Sequence, residues 1–196
     1  MKYRAGRYPV SSKGFTLLEV LIVLFVGVLL VSVAIPNMTG LVADSRRSSA
    51  TTELLLSMNL ARSEALKRHR HVTICKSADG ESCGDDDVAW SDGWIVFVNS
   101  SSANVSQRDN GEELVHVSPA IGGDAAFTAD SGVADFASFR PSGRATVSGS
   151  FVWCDKRGAE DARGVFIMPS GRAVVSDHTI EGEALSCGSA GEQVWQ

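Results

Sequence analysis

Positive charge is the minority sign in this 196-residue sequence: 18 Lys+Arg stand against 23 Asp+Glu, a net charge of −5. A chain built to coat nucleic acid or an anionic surface needs a basic face, so that class is disfavoured at the outset. Cysteine is scarce, with four residues and no C-x-x-C pair, so the paired spacing of a zinc site is missing. Aromatics make up only 7%. Disorder is excluded from the other direction, because 44% hydrophobic and 21% charged residues are the proportions of a folded protein. The length suits one ordinary domain plus something extra. Nineteen glycines, nine of them beside Ser or Asp, point to many turns and a β-rich domain.

The extra part is at the N-terminus. Residues 1–14 carry Lys2, Arg4, Arg7 and Lys13 and no acid, and Glu19 is then the only charge between Phe15 and Met38. The uncharged run Val20–Ile35 has 16 residues, and Phe15–Ile35 has 21. At ~1.5 Å per residue the longer stretch spans roughly 30 Å as a helix, the thickness of a bilayer core. The basic flank before it, with no further basic residue until Arg46, places the N-terminus inside and the rest outside the cytoplasm. An ordinary secretory signal is the competing reading, and Ser32-Val33-Ala34 offers a small-x-small cleavage site. Against it stand the length of the run and Glu19, a carboxylate that costs about 2.5–3.5 kcal/mol in hydrocarbon unless it has a partner.

Beyond Pro36, Ala50, Leu54, Met58, Ala61 and Ala65 recur at spacings of three and four. That spacing is one apolar helical stripe, opposite a charged face. A helix from Phe15 to about His69 would be ~80 Å long, with Pro36 and Gly40 expected to kink or loosen it. From His71 onward the chain reads as strands: 71–75, 93–99, 113–118, 135–140, 149–155, 164–169 and 172–177 are short β-branched or aromatic runs. Pro-Ser-Gly-Arg-Ala occurs twice, at 141–145 and 169–173, and suits two neighbouring hairpin turns. The expected fold is α+β, with antiparallel β-structure packed on the C-terminal half of one helix.

Cys75, Cys83, Cys154 and Cys187 all lie in the part expected outside, where two disulfides are the default. Of the three connectivities, Cys75–Cys83 closes a short polar loop and is favoured, leaving Cys154–Cys187 to staple the tail to a strand.

Several features resemble chemistry and read more simply as structure. Gly80-Glu81-Ser82-Cys83-Gly84 matches G-x-S-x-G but lacks the strand before and helix after that an elbow needs. Asp85–Asp87 has no calcium-loop continuation and reads as a solvated acidic loop. His69 and His71 read as a helix end, where positive charge suits the dipole. Asn99 and Asn104 lie in N-x-S sequons with no further sign of use, and Trp90, Trp94 and Trp153 read as core aromatics. No catalytic residue, metal ligand, cofactor or small-molecule substrate is called for.

The run Gly14-Phe15-Thr16-Leu17-Leu18-Glu19, ahead of the apolar stretch and Pro36, resembles the prepilin signature of type IV pilins and type II secretion pseudopilins. The resemblance implies a leader, residues 1–14, removed by a prepilin peptidase after Gly14, with N-methylation of Phe15. It implies a transmembrane and filament-core helix over 15–40 and an exported domain over 41–196, split into a helical half (41–70) and a β-rich half (71–196). It gives Glu19 a partner, the Phe15 α-amino group of a neighbouring subunit; two buried opposite charges offset one another. Loss of four leader charges takes the net charge from −5 to −9. Downstream, Leu60-Ala61-Arg62-Ser63-Glu64-Ala65, Trp94-Ile95-Val96-Phe97 and Phe139-Arg140-Pro141-Ser142-Gly143 resemble the GspH/FimT group of minor pilins. That group implies a low-copy subunit at a filament tip that primes assembly, with other minor pilins, major pilin and the inner membrane as partners. A secretion pseudopilin is the alternative. DNA capture, as in some FimT-type pilins, is a further one. Its Gly-Arg-x-Arg element lacks the second Arg here at Gly143-Arg144-Ala145-Thr146 and Gly171-Arg172-Ala173-Val174. Arg140, Arg144, Lys156, Arg157, Arg163 and Arg172 are the candidate contacts.

Overall fold

A computed structural model describes residues 14–100, 104–122 and 125–188. Leader residues 1–13 and the end of the tail lie outside the described residues. The chain divides into two compact units, Met1–Asp44 and Ser45–Gln196.

Helix α1 covers Leu17–Arg68. It starts where it does because the Thr16 hydroxyl caps it, accepting the Glu19 backbone N–H at 3.2 Å. It ends with Lys67 and Arg68 in its last turn and His69 in the left-handed region, φ 53°. The helix runs unbroken through the expected kink at Pro36 and Gly40. In the first unit its apolar side chains are open to the surroundings, among them Leu17, Phe25 and Leu30. Among the described residues no helix is long and apolar enough to cross a membrane. The apolar run passes into residues 33–38, whose side chains lie outside the described set.

The second unit is organised on the apolar stripe. Ala50, Leu54, Met58, Ala61 and Ala65 are all buried. Eight strands follow: β1 (His71–Lys76), β2 (Trp94–Asn99), β3 (Leu114–Ser118), β4 (Ala126–Ala129), β5 (Phe136–Phe139), β6 (Gly149–Cys154), β7 (Arg163–Ile167) and β8 (Ala173–Ser176). They form two four-stranded antiparallel sheets, ordered β3-β2-β1-β5 and β4-β6-β7-β8. Strand β4 was not expected; its Ala126-Phe127-Thr128-Ala129 is too short and alanine-rich to carry a strand signal.

Both sheets bury both faces, by the two-residue alternation of a strand. Val72, Ile74, Trp94 and Val96 of the first sheet join Phe151, Trp153, Val165 and Ile167 of the second around the helix stripe. Aromatic edges stitch the sheets: the Trp94 and Phe127 ring centroids are 6.3 Å apart, and those of Phe127 and Trp153 5.0 Å. Trp94 Nε1 donates to Ser57 Oγ at 2.9 Å, fixing the first sheet to the helix. On the opposite faces, Cys75, Ile95 and Phe97 form one small core, and Val152, Ala162, Phe166 and Leu185 another.

Each outer core is covered by a segment that a disulfide ties down. Cys75 is bonded to Cys83, and Cys154 to Cys187. Over the first sheet, the β2–β3 loop is held by Thr73 Oγ1 donating to the Val105 carbonyl. Arg108 joins that loop to the disulfide loop, donating to the carbonyls of Glu112 and Glu81. Over the second sheet lies Leu185, two residues before Cys187.

The repeated Pro-Ser-Gly-Arg-Ala turns serve different purposes. Turn 169–172 joins β7 to β8 as a hairpin. Turn 141–144 is closed by a single bridge, Phe139 with Ala145, after which the chain crosses to the second sheet. The turns touch at their glycines, so a Cβ on Gly171 would lie 2.0 Å from the Gly143 carbonyl oxygen. Gly171→Ala is therefore expected to destabilise the protein by about 2–4 kcal/mol, combining left-handed strain at φ +80° with overpacking. Gly158→Ala, at φ +89° in open space, should cost only about 1 kcal/mol. Denaturant midpoints of the two variants check the difference; equal losses would mean that the glycine contact carries no weight.

Candidate functional site

The residues of the expected processing site are laid out in line. Gly14, Phe15 and Thr16 precede the helix in non-helical backbone, and Phe15 is exposed. Thr16 and Glu19 hold the N-cap and third helical positions, the spacing of a capping box. That spacing was readable from Thr16-Leu17-Leu18-Glu19, and it ends the helix just short of the Gly14–Phe15 bond.

In the second unit the structure brings both cysteine pairs together and divides the six candidate basic residues. Strands β6 and β7 pair Gly149 with Ile167 at one end and Trp153 with Arg163 at the other. Arg140, Arg144 and Arg172 sit in the touching turns beyond the Ile167 end, and all three are exposed. Lys156, Arg157 and Arg163 sit at the opposite end, four residues or roughly 13 Å of strand away. The six do not form one patch.

Arg157 differs from the other five in its partners. Arg157 is committed to carboxylates, its Nη2 donating to Asp155 at 2.7 Å and its Nη1 lying 3.4 Å from Asp161. Arg47 of α1 reaches the same place, donating to the Asp161 carbonyl at 2.7 Å. By contrast, Arg140, Arg144 and Arg172 have no carboxylate partner among the described residues. Between their turns and the helix lies a residue that sequence reasoning passed over: Arg62 Nε donates to the Gly143 carbonyl at 3.0 Å, while Leu66 packs on the same glycine. Only the fold could show it, since nothing local to the helix singles out Arg62.

Other polar clusters are structurally consumed. Asp79 accepts from the backbone N–H groups of Glu81 and Ser82 and from both neighbouring serine hydroxyls. These bonds, the Ser82 hydroxyl first, hold its carboxyl well below the usual carboxylate range. A cleft of about 280 Å³ at the end of α1 is lined by Arg68, Arg70, Ser100, Glu112 and Glu113. Its charges are largely spent, because Arg68 forks onto Glu113 at 2.6 and 2.9 Å and also bonds Glu64. Among the described residues no group of three or more His, Cys, Asp or Glu is placed to hold a metal.

A helix entering at a prepilin-like junction and a two-sheet body on its second half can be placed by comparison. The family model described as type II transport protein GspH matches residues 50–171. The chain belongs to the GspH family. The prokaryotic N-terminal methylation motif matches residues 10–35. Among solved structures, the type IV minor pilin FimU of Pseudomonas aeruginosa (strain PAO1) is similar in its P21 crystal form, with a TM-score of 0.52. That likeness has 20% identity and covers 67% of this chain and 89% of that one. The P65 form gives 0.47 at 20% identity, with 66% and 91% covered. No curated protein matches. At this identity the likeness is one of fold: the GspH chain has a type IV pilin fold, with its N-terminal helix packed on antiparallel sheets.

The Asp155–Arg157 fork generates a pH prediction for this GspH domain. The Arg157 hydrogen bonds lower the Asp155 pKa, so the group contributes stability above the unfolded carboxylate value of about 4 and loses it as pH falls through the folded value. Asp155→Asn should cost about 1.5–3 kcal/mol at pH 7, in the range of hydrogen bonds to charge, and less at pH 2. Urea midpoints at the two pH values check it; a loss independent of pH would point to packing instead.

Proposed function

We propose that this chain is a minor pilin of a type IV pilus, a structural subunit that primes assembly at the filament tip after processing by a prepilin peptidase. The observation that carries the reading is the order of the two family matches: a methylation motif over residues 10–35 leads directly into a GspH domain over 50–171. In this reading the leader is cut after Gly14, Phe15 is methylated, and the apolar side chains exposed along the first unit are those that meet lipid and then neighbouring helices. The subunit sits in the inner membrane with its N-terminus cytoplasmic and later at the pilus tip. Glu19 pairs there with the Phe15 α-amino group of a neighbour, and Pro36 lies in the filament-core helix. Its partners are prepilin peptidase, major pilin and other minor pilins, and its role is assembly rather than catalysis.

The description of the matched family favours a second reading, a minor pseudopilin of a type II secretion system. Deleting the gene separates the two. Loss of surface pili with normal secretion is the expected result, whereas normal pili with enzymes held in the periplasm would establish the pseudopilin. Processing is checked independently by intact mass: residues 15–196 plus one methyl group are expected. A mass for residues 35–196 would mean ordinary signal cleavage and would remove both readings.

A further inference from the structure

The second unit is electrically polar along its first sheet. β1 runs from His71 to Lys76, roughly 17 Å. At the His71 end, β5 pairs Phe139 with Val72 and leads straight into the Arg140–Arg144 turn, against which the Arg172 turn is seated. Those three guanidiniums are exposed and without a carboxylate among the described residues, and Arg62 stands behind them on Gly143. The nearby acids are engaged elsewhere: Glu64 holds Lys67 and Arg68, and Glu113 holds Arg68.

At the Lys76 end the sign reverses. Gly84 N–H donates to the Lys76 carbonyl, so the loop bearing Glu81, Asp85, Asp86 and Asp87 folds over that end. All four side chains are exposed and have no cation among the described residues. Of the cations close by, Lys76 pairs with Asp135 at 2.8 Å, while Arg108 donates to the carbonyls of Glu112 and Glu81 and leaves four carboxylates against its one positive charge. A chain of net charge −5 thus sets Arg140, Arg144 and Arg172 at one end of this sheet and a run of four carboxylates at the other.

Charges of opposite sign at opposite ends of one sheet are complementary between two copies of the chain. We infer that Arg140, Arg144 and Arg172 of one copy receive the Glu81 and Asp85–Asp87 loop of a second copy of this chain. Such a contact joins unlike surfaces, and it forms either once, head to tail, or twice, about a two-fold axis. Three arginines in two short turns suit a compact carboxylate loop. A duplex would need a longer run of cations, and the other three candidate residues lie at the far end of the second sheet. The inference goes beyond the pilin reading and is independent of which filament the subunit serves.

The test is sedimentation equilibrium of the full-length chain in a nonionic detergent, with disulfide content checked by mass for every variant. Self-association should weaken on the order of tenfold between about 50 and 500 mM NaCl, as screening shortens the reach of exposed charges. Arg144→Glu with Arg172→Glu should abolish the salt-sensitive part, as should Asp85→Lys with Asp87→Lys. Mixing the two double variants should restore it, because each then offers the other a complementary end; a variant that had merely misfolded could not be rescued in this way. Failure of the mixture to associate, or salt-insensitive association of the parent, would overturn the contact. So would retention of duplex DNA that the Arg144→Glu and Arg172→Glu pair removes, which would give the arginines to nucleic acid instead. A parent chain that stays monomeric but is still processed after Gly14 and required for filaments would remove this contact alone and leave the pilin reading standing.

Discussion

Everything in the second unit depends on one narrow seam, the Ala50–Leu54–Met58–Ala61–Ala65 stripe of α1. Three of its five residues are alanines, so the helix presents little bulk, and the volume of the core is supplied from the sheets by Trp94, Phe127, Phe151 and Trp153. A small-residue stripe lets both sheets approach the same helix closely, and large aromatics then fill the space between them in edge-to-face contact. The Trp94–Ser57 hydrogen bond fixes the register of this arrangement, since a buried indole N–H left without a partner would cost about 1–3 kcal/mol.

The second constraint is that neither sheet leaves its outer face to water. A half-solvated antiparallel sheet alternates apolar and polar residues, but here Ile95, Phe97, Val152 and Phe166 put apolar side chains on the faces turned away from the helix. The chain covers them with loop and tail segments that have little regular structure, and such segments need fastening. The two disulfides sit at these places, one per sheet. Cys154–Cys187 closes a separation of 33 residues and holds Leu185 over Val152 and Phe166; a bond closing a loop of that size removes several kcal/mol of unfolded-chain entropy in the loop-closure account. The acidic and arginine-rich ends are a by-product of the same covering, because the loops that turn at the two ends of the sheets carry the charges that the faces exclude.

Sequence and tertiary structure divide the account unequally. The long helix, its apolar stripe, seven of the eight strands, the favoured cysteine pairing and the Gly14–Glu19 signature could all be read locally. Hydrophobic periods of 3.6 and 2, and a Gly-Phe junction with one acid in an apolar run, are properties of neighbouring residues. β4 escaped because four residues, half of them alanine, carry no period. The division of Arg140, Arg144 and Arg172 from Lys156, Arg157 and Arg163 was equally invisible. All six lie within 33 positions of one another, yet the direction in which β6 and β7 run decides which end each occupies. The sequence by itself determined which residues want burial and which residue caps the helix, since those follow from side-chain chemistry at short range. Only the tertiary structure decided that two copies of Pro-Ser-Gly-Arg-Ala would touch glycine to glycine, and that opposite charges would stand at opposite ends. Both depend on how strands far apart in the chain are registered, and no local interaction encodes that.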